Sequence, residues 1–462
     1  MNPVTAQILI SRSFKTIEEI HEFLYAKLPH LLDPELFPDM DKAVTRILYA
    51  IEQKQPILIY GDNDVDGMTA AALLTEFLRS IGAKTHVDIP NRASLQKSLI
   101  GDALQVALKH HCKLLITVDC GITAAREIEE LIQYDIDVII TDHHEPTSRI
   151  PHCIATLNPK LINSTYPNRD LTGVGVAFKL AHAITNELIE REEISPTKID
   201  LKSYLDLVAL GTIADMGALR GENRILVRYG LRQLRKVRRI GLAKLCLISE
   251  IDQSKISPID IASKVAPRLN SLGRIAEPIK GVELLLIKDH AQAETLAREL
   301  DLYNLERQKI EKLALDDIES ILYDHPEILQ EKAIVLTSDK WHPGVIPIIS
   351  ARIAKQYNRP TLIISIEKNV GKGSIRTIPE FPLLPTLREN SDLLINFGGH
   401  DYAAGLTIEE DKIPLFHKQF CAAAETALKE QDIANKLYLD AQREIFAAQS
   451  IAAMRHAKGN SF

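Results

Sequence analysis

Cysteine is scarce and scattered. The five residues stand at positions 112, 120, 153, 246 and 421, and no two form a CxxC pair. That spacing argues against a zinc-thiolate centre and against a disulfide framework, and it suits a reducing, cytoplasmic compartment. No apolar run is long enough to span a bilayer, and the first residues lack the charged and apolar regions of a signal peptide. Internal repeats and low-complexity tracts are also absent. Positive charge is not in excess: 55 Lys and Arg against 62 Asp and Glu leave a formal net charge of −7. Taken alone, this argues weakly against a nucleic-acid binder, unless many of the carboxylates are gathered around metal ions.

What remains is a soluble globular composition, 45% hydrophobic and 25% charged over 462 residues, which suits two or three domains. Residues 1–50 read as a helical segment broken by Pro29, Pro34 and Pro38. From there, apolar strands at 57–60, 84–89, 114–118 and 138–141 alternate with helical stretches. This is the pattern of βαβ units and a mostly parallel sheet, over a domain of residues 51–290. Residues 175–246 look mainly helical. Residues 291–325 hold a long helix without Pro or Gly, which is either a solvated surface helix or a link between domains. A second, smaller α/β domain starts afterwards, at 326–430, with strands at 333–337 and 361–366 around a helix at 345–357. A helical tail is expected over 431–462.

The informative chemistry lies at the ends of the predicted strands. Tyr60-Gly-Asp-Asn-Asp-Val-Asp-Gly67, Val118-Asp-Cys-Gly121 and Thr141-Asp-His-His144 each follow one. In an open parallel sheet the ligand site lies beyond the carboxyl ends of the strands, so all three clusters should meet on one rim. Asp62, Asp64 and Asp66 at spacing two repel one another unless cations intervene, and Gly61 and Gly67 give the backbone room to turn the carboxylates inward. A calcium loop is the competing reading, but the glutamate that an EF-hand needs is missing, and Phe77 lies in an apolar helix. Carboxylates mixed with imidazole suit two Mn²⁺ or Mg²⁺ ions, which together bridge a phosphate and an attacking hydroxide. Asp215 ends the apolar stretch LVALGTIAD. It is either a helix N-cap or a further metal ligand, and the cost of burying it unpaired favours the ligand. The basic run Leu231–Ile240, with five Lys and Arg, reads as an amphipathic helix offering either a solvated face or a strip for a nucleic-acid backbone.

These residues, in this order, resemble the DHH phosphoesterase superfamily. The longer segments YGDNDVDGMTA, ITVDCGI, ITDHHEP, LTGVGVAFKL, GTIADMGALRGENRILVRYGL, APRLNSLGR, WHPGVIPIISARIAKQYNRP, GKGSIRTI and NFGGHDYAAGLTI resemble the RecJ-type single-stranded-DNA exonucleases over residues 55–410. The resemblance implies that Asp64, Asp66, Asp119, His143 and Asp215 are metal ligands, with Asp62 a further ligand or a group just behind them. It implies that His144 contacts the scissile phosphate and that Asp142 orients the histidine pair. Related pyrophosphatases have a histidine where this chain has Tyr60.

The second domain resembles the DHH-associated nucleic-acid-binding domain, with Ser374, Arg376, Gly398, Gly399 and His400 on the substrate side. The Gly-Gly pair can bring backbone N–H groups close to phosphate, or can be a plain turn. Arg268 and Arg274 are planar donors suited to phosphate oxygens. Trp341-His342 can stack on a base or simply pack.

Two departures stand out. An OB-fold domain of the kind such enzymes commonly carry is not expected within these 462 residues, and ASLQKSLIGDALQ replaces a glycine-tyrosine-glycine element after Arg92. The implied activity is metal-dependent release of nucleoside 5′-monophosphates from single-stranded DNA, 5′ to 3′, in a cleft between the domains, in DNA repair and recombination. The alternatives are an enzyme of short oligonucleotides or dinucleotides, a pyrophosphatase, and a non-catalytic replication scaffold. No membrane partner is expected, and protein partners are left open.

Overall fold

A computed structural model describes residues 2–91, 101–434, 437 and 439–441. Two compact units emerge. One comprises Met1–Gly273 and Glu277–Asp301, and the other Arg274–Ala276 and Leu302–Leu437. Part of the ASLQKSLIGDALQ segment and most of the expected helical tail lie outside the described residues.

The first unit is built on five parallel strands: β1 (Ile57–Gly61), β2 (Thr85–Asp88), β3 (Leu114–Val118), β4 (Asp137–Thr141) and β5 (Ala155–Leu157). Their order is β2-β1-β3-β4-β5. Ile59 sits beside Ile116, and Ile116 beside Ile139, so the three central strands run in step. Both central strands β1 and β3 are buried along their whole length. Hence they read as continuous apolar runs and not as alternating ones. One face, carrying Leu58, Leu115, Val138 and Ile140, is covered by helices Ala103–Lys109 and Ala125–Gln133. Helices Val65–Ser80 and Gly173–Glu190 pack together on the other. The chain passes from β1 to β2 on one side and then returns to β3 on the other. The gap beyond β1 and β3 is therefore the topological switch point, where such sheets bind ligands.

The N-terminal residues fold onto this unit. Helix Met40–Glu52 buries Ala43, Val44, Ile47 and Ala50, and Arg46 Nε lies 2.6 Å from Asp137 Oδ2. A buried charge cluster ties the same segment down. Lys179 Nζ lies 2.5 Å from Glu222 and donates to the Leu32 carbonyl, while Leu32 N–H and the Tyr166 hydroxyl donate to Glu222.

In the second unit, β6 (Ile334–Ser338) and β7 (Thr361–Glu367) are parallel, linked by helix Ile346–Tyr357. From β7 the sheet continues antiparallel through β8 (Val370–Arg376), β10 (Ala403–Glu409) and the outer strand β9 (Leu394–His400). Lys368 and Asn369 close the β7–β8 hairpin with positive φ at both residues, the backbone of a type I′ turn. The helix Ile413–Ala427 buries Phe416 and Phe420 against one face. The long helix runs from His290 to Asp324 and serves both units. Ala293, Ala297 and Leu300 are buried in the first, while Ala314, Leu315, Ile318 and Leu322 pack with β6 in the second. The reading as a solvated surface helix is thereby set aside.

One expectation fails. Leu231–Ile240 is not one amphipathic helix. The helix Gly221–Leu234 stops at Leu234, Val237 takes a positive φ, and a new helix starts at Ile240. Arg239 is buried between Asp206 and Glu76, and Arg235 donates to the Ile256 carbonyl. These two side chains are tied to neighbouring segments, whereas Arg232, Lys236 and Arg238 stay exposed. Among the described residues, no helix is long and apolar enough to cross a membrane.

Lys179 and Glu222 are both buried. Replacing Glu222 by Ala leaves an ammonium in the interior and is expected to cost about 3–5 kcal/mol. Urea denaturation followed by circular dichroism checks this, and an unchanged midpoint would show that the cluster does not anchor the N-terminal segment.

Candidate metal centre

The carboxyl ends of β1, β3 and β4 deliver Asp62, Asp119 and Asp142 directly into the switch-point gap. Asp64 caps the helix Val65–Ser80, accepting from Gly67 N–H at 3.0 Å. Gly67 thus lies on the helix and not in the turn. Its bare Cα lets the Asp62 backbone fold over it, since a Cβ there would stand 2.3 Å from the Asp62 carbonyl oxygen. Asp66, in the first turn of that helix, is buried and points at the start of helix Gly173–Glu190, accepting from Gly173 N–H at 2.7 Å and Val174 N–H at 3.0 Å. Asp119 adopts φ 62°, unusual for a residue with a side chain. Gly173 makes room for it, because a Cβ at 173 would stand 2.4 Å from Asp119 Oδ1.

Asp215 reaches the site from the C-terminal end of helix Leu205–Ala214, which corrects the N-cap alternative. Its Oδ2 lies 3.8 Å from His143 Nε2. His143 Nε2 also lies 3.1 Å from Asp119 Oδ1 and 3.9 Å from Asp66 Oδ2. Three groups thus place donor atoms within 4.8 Å of one another: Asp62, Asp64 and Asp119; Asp119, His143 and His144; Asp66, His143 and Asp215.

The electrostatics show why these residues cannot sit together as bare anions. Burial, with repulsion from neighbouring carboxylates, pushes Asp66 and Asp119 well above the usual carboxylate range and Asp215 to about 7. Burial pulls His143 down to about 3, which leaves its imidazole neutral. Among the described residues, Asp119 Oδ1 is buried without a hydrogen-bond donor. Neutral imidazole and crowded carboxylate oxygens with unspent lone pairs are the ligand chemistry of Mn²⁺ or Mg²⁺, and the residues fit such ions.

Asp142 behaves differently. Burial would raise it, but the His144 side chain outweighs that and holds it at about 2. It accepts from the Ile122 backbone N–H at 2.9 Å and from those of His143 and His144 at 2.7 and 3.0 Å. Its Oδ1 also lies 2.8 Å from His144 Nδ1. Burial would lower His144, yet its bond to Asp142 raises it to about 9, giving a cationic ring with part of its surface open to solvent. Asp142 therefore orients the histidine pair through both backbones and one ring.

Sequence reasoning missed the groups behind this constellation. The Asn270 side-chain oxygen accepts from Val65 N–H at 3.1 Å. Gly273, on the same helix (Ala266–Ile275), makes room for the acidic loop, since a Cβ there would stand 2.2 Å from the Asn63 carbonyl oxygen. Asn158, after β5, donates to the His144 carbonyl at 2.9 Å. Lys160 adds positive charge near His143 and Asp215. Its signal was the Asn-Pro-Lys following a strand only three residues long.

The arginines of the APRLNSLGR segment are occupied. Arg268 pairs with Asp301 at 2.8 Å, and Arg274 donates to the Gly344 carbonyl at 3.1 Å. Trp341 is buried and donates to Asp317, so it packs and offers no stacking face.

In the second unit the sheet register gathers the substrate-side candidates. Arg376 pairs across to Ala403 and Ala403 to His400, while Ser374 pairs to Gly405 and Gly405 to Gly398. The Gly-Gly pair is therefore strand and not turn. A Cβ at Gly398 would meet open space, whereas one at Gly399 would stand 2.5 Å from the Ala404 Cα. Arg376 Nη1 donates to the Ile375 carbonyl at 2.9 Å.

Residues 56–212 match the DHH family, N-terminal domain, and residues 330–426 the DHHA1 domain. The single-stranded-DNA-specific exonuclease RecJ of Haemophilus influenzae is 33% identical over 457 residues, covering 96% of this chain and 79% of its own length. The chain belongs to the RecJ family. The RecJ of Bacillus subtilis is 37% identical over 435 residues, 94% of this chain. The chain spans about half of that relative, 53% of its length. RecJ from Thermus thermophilus, solved in complex with Mn²⁺, superimposes with a TM-score of 0.77 at 32% identity, covering 92% of this chain and 59% of that one.

Within this RecJ-family site, Asn270 is a clean test of how the acidic loop is held. Asn270→Ala removes the acceptor for Val65 N–H and is expected to weaken Mn²⁺ binding by about 10–100-fold, as the loss of groups supporting metal ligands does. Calorimetric titration reads this, with circular dichroism as the control for folding. Unaltered affinity would show that the loop is fixed by its own backbone.

Proposed function

We propose that the protein is a metal-dependent exonuclease of single-stranded DNA, releasing nucleoside 5′-monophosphates in DNA repair and recombination. The observation that carries this reading is the convergence of Asp62, Asp64, Asp66, Asp119, His143 and Asp215 at the switch point of a parallel sheet, in a chain of the RecJ family. The 5′ to 3′ direction is what the resemblance implies.

Mn²⁺ or Mg²⁺ held by these six side chains would neutralise the scissile phosphate and acidify an attacking water. Asp119 and His143 each belong to two of the three donor groups, and only the carboxylate has a second oxygen to share, so Asp119 would be the shared ligand. Asp142 holds the cationic His144 toward solvent, where its ring meets a phosphate oxygen. Arg268 and Arg274 are suited to phosphate contacts as planar donors, and both already have protein partners. In the second unit, Arg376, Gly398, Gly399 and His400 would hold the strand, while Ser374 is buried with its hydroxyl 3.1 Å from that of Ser350. The open side of Gly398 lets a backbone approach, and Arg376 offers a planar fork of donors. A scaffold role is disfavoured because every ligand position is kept and brought together.

Purified protein with Mn²⁺ should digest labelled single strands, spare duplex and stop with a chelator. Preferential cleavage of dinucleotides would instead favour an enzyme of short oligonucleotides. Asp119→Ala and His143→Ala should abolish turnover while the circular dichroism spectrum is kept, and full activity in either would remove the two-metal assignment. Arg376→Ala and His400→Ala should each weaken oligonucleotide binding by about 1–3 kcal/mol, measured by fluorescence anisotropy, with Mn²⁺ affinity unchanged. Loss of Mn²⁺ binding in His400→Ala with oligonucleotide affinity intact would reverse its role.

A further inference from the structure

The second unit carries another group of metal-ligating side chains. His417 and Cys421 stand four residues apart on helix Ile413–Ala427, so both project from one face. Glu331 comes from the chain just ahead of β6. One donor atom of each lies within 4.8 Å of the other two. The three line an open groove of about 470 Å³ together with Lys332, Lys418 and Glu425.

We propose that Glu331, His417 and Cys421 form a binding site for one Zn²⁺ ion, with water from the groove as fourth ligand.

The donor set selects the metal. Thiolate and imidazole together prefer Zn²⁺ over the hard Mn²⁺ and Mg²⁺ suited to the acidic centre of the first unit. Three protein ligands and one open position are a common zinc arrangement. Tetrahedral coordination sets ligand atoms roughly 3.3–3.8 Å apart, given bonds of about 2.0–2.3 Å. Glu331 is exposed, and rotation of its side chain supplies that adjustment.

The Cys421 sulfur and a Glu331 carboxylate oxygen lie within 4.8 Å of each other. Zn²⁺ would displace the thiol proton to solvent and take both the sulfur and the carboxylate. Thiolate and carboxylate then balance the charge of the ion. Lys332 is nearby but already committed, 3.0 Å from Glu425 and 2.9 Å from the Leu428 carbonyl oxygen. The ion would clip the last long helix of the unit to the entrance of its first strand, positions far apart in sequence, where a cross-link restricts the unfolded chain most.

The test uses the full chain and Co²⁺ as a spectroscopic stand-in for Zn²⁺. A thiolate-to-cobalt charge-transfer band is expected in the native protein and in Asp119→Ala, which alters only the other centre. Cys421→Ser should lose the band, and His417→Ala should weaken Co²⁺ binding. Zn²⁺ should raise the melting temperature of the native protein and not that of Cys421→Ser. Absence of the band in the native protein, or its persistence in Cys421→Ser, would overturn the assignment. Loss of the band in Asp119→Ala would place the sulfur ligand at the first centre and would equally overturn it.

Discussion

Repulsion between carboxylates forced into one gap is the constraint around which the first unit is organised. Two like charges 4–5 Å apart cost roughly 3–4 kcal/mol at an effective dielectric constant of about 20, and five aspartates share this rim. The protein's own positive dipoles are too weak to offset that. The start of helix Gly173–Glu190 donates two N–H groups to Asp66, and a helix terminus contributes at most about 2 kcal/mol. Asp66, Asp119 and Asp215 accordingly rise in pKa instead of being stabilised as anions. A scaffold that gathers such groups and, among the described residues, gives none of these three an arginine partner is shaped for a divalent cation.

Asp142 shows the opposite solution within the same rim. It is equally buried, yet three backbone N–H groups and the His144 ring satisfy it. The same residue type, separated by one strand, is thus set for two purposes. Aspartates raised by burial and mutual repulsion are available as ligands, and one held ionised by its hydrogen bonds fixes the geometry of its neighbours.

The alternation of strands and helices was legible in the sequence because β1, β3 and β4 are short apolar runs between helical stretches. The acidic clusters were legible because strand-end placement in a parallel sheet follows from topology alone. The antiparallel strands of the second unit were not. β8, β9 and β10 carry Gly371, Gly373, Gly398, Gly399 and Gly405, which depress strand propensity. At Gly371 and Gly373 the missing side chain serves packing, since a Cβ would stand 2.8 Å from Ile364 Cγ2 in one case and 2.7 Å from Leu406 Cδ1 in the other. The break at Leu234 was hidden for a different reason. Arginine and lysine are good helix formers, and the ion pairs of Arg239 with Asp206 and Glu76 lie far away in sequence.

Asn270, Gly273 and Asn158 define what one sequence cannot reveal about this site. None carries a charge or an imidazole, and each acts through a backbone group elsewhere. Asn270 meets Val65, Gly273 yields to Asn63, and Asn158 meets the carbonyl of His144. Together they brace two of the three acidic segments, those after β1 and β4, from outside. The segment after β3 is held differently, by Gly173, whose missing side chain accommodates Asp119. The ligand aspartates and histidine supply the chemistry of the centre. Its shape is set by an asparagine-glycine helix and a strand of three residues, which carry no signature until the fold brings them together.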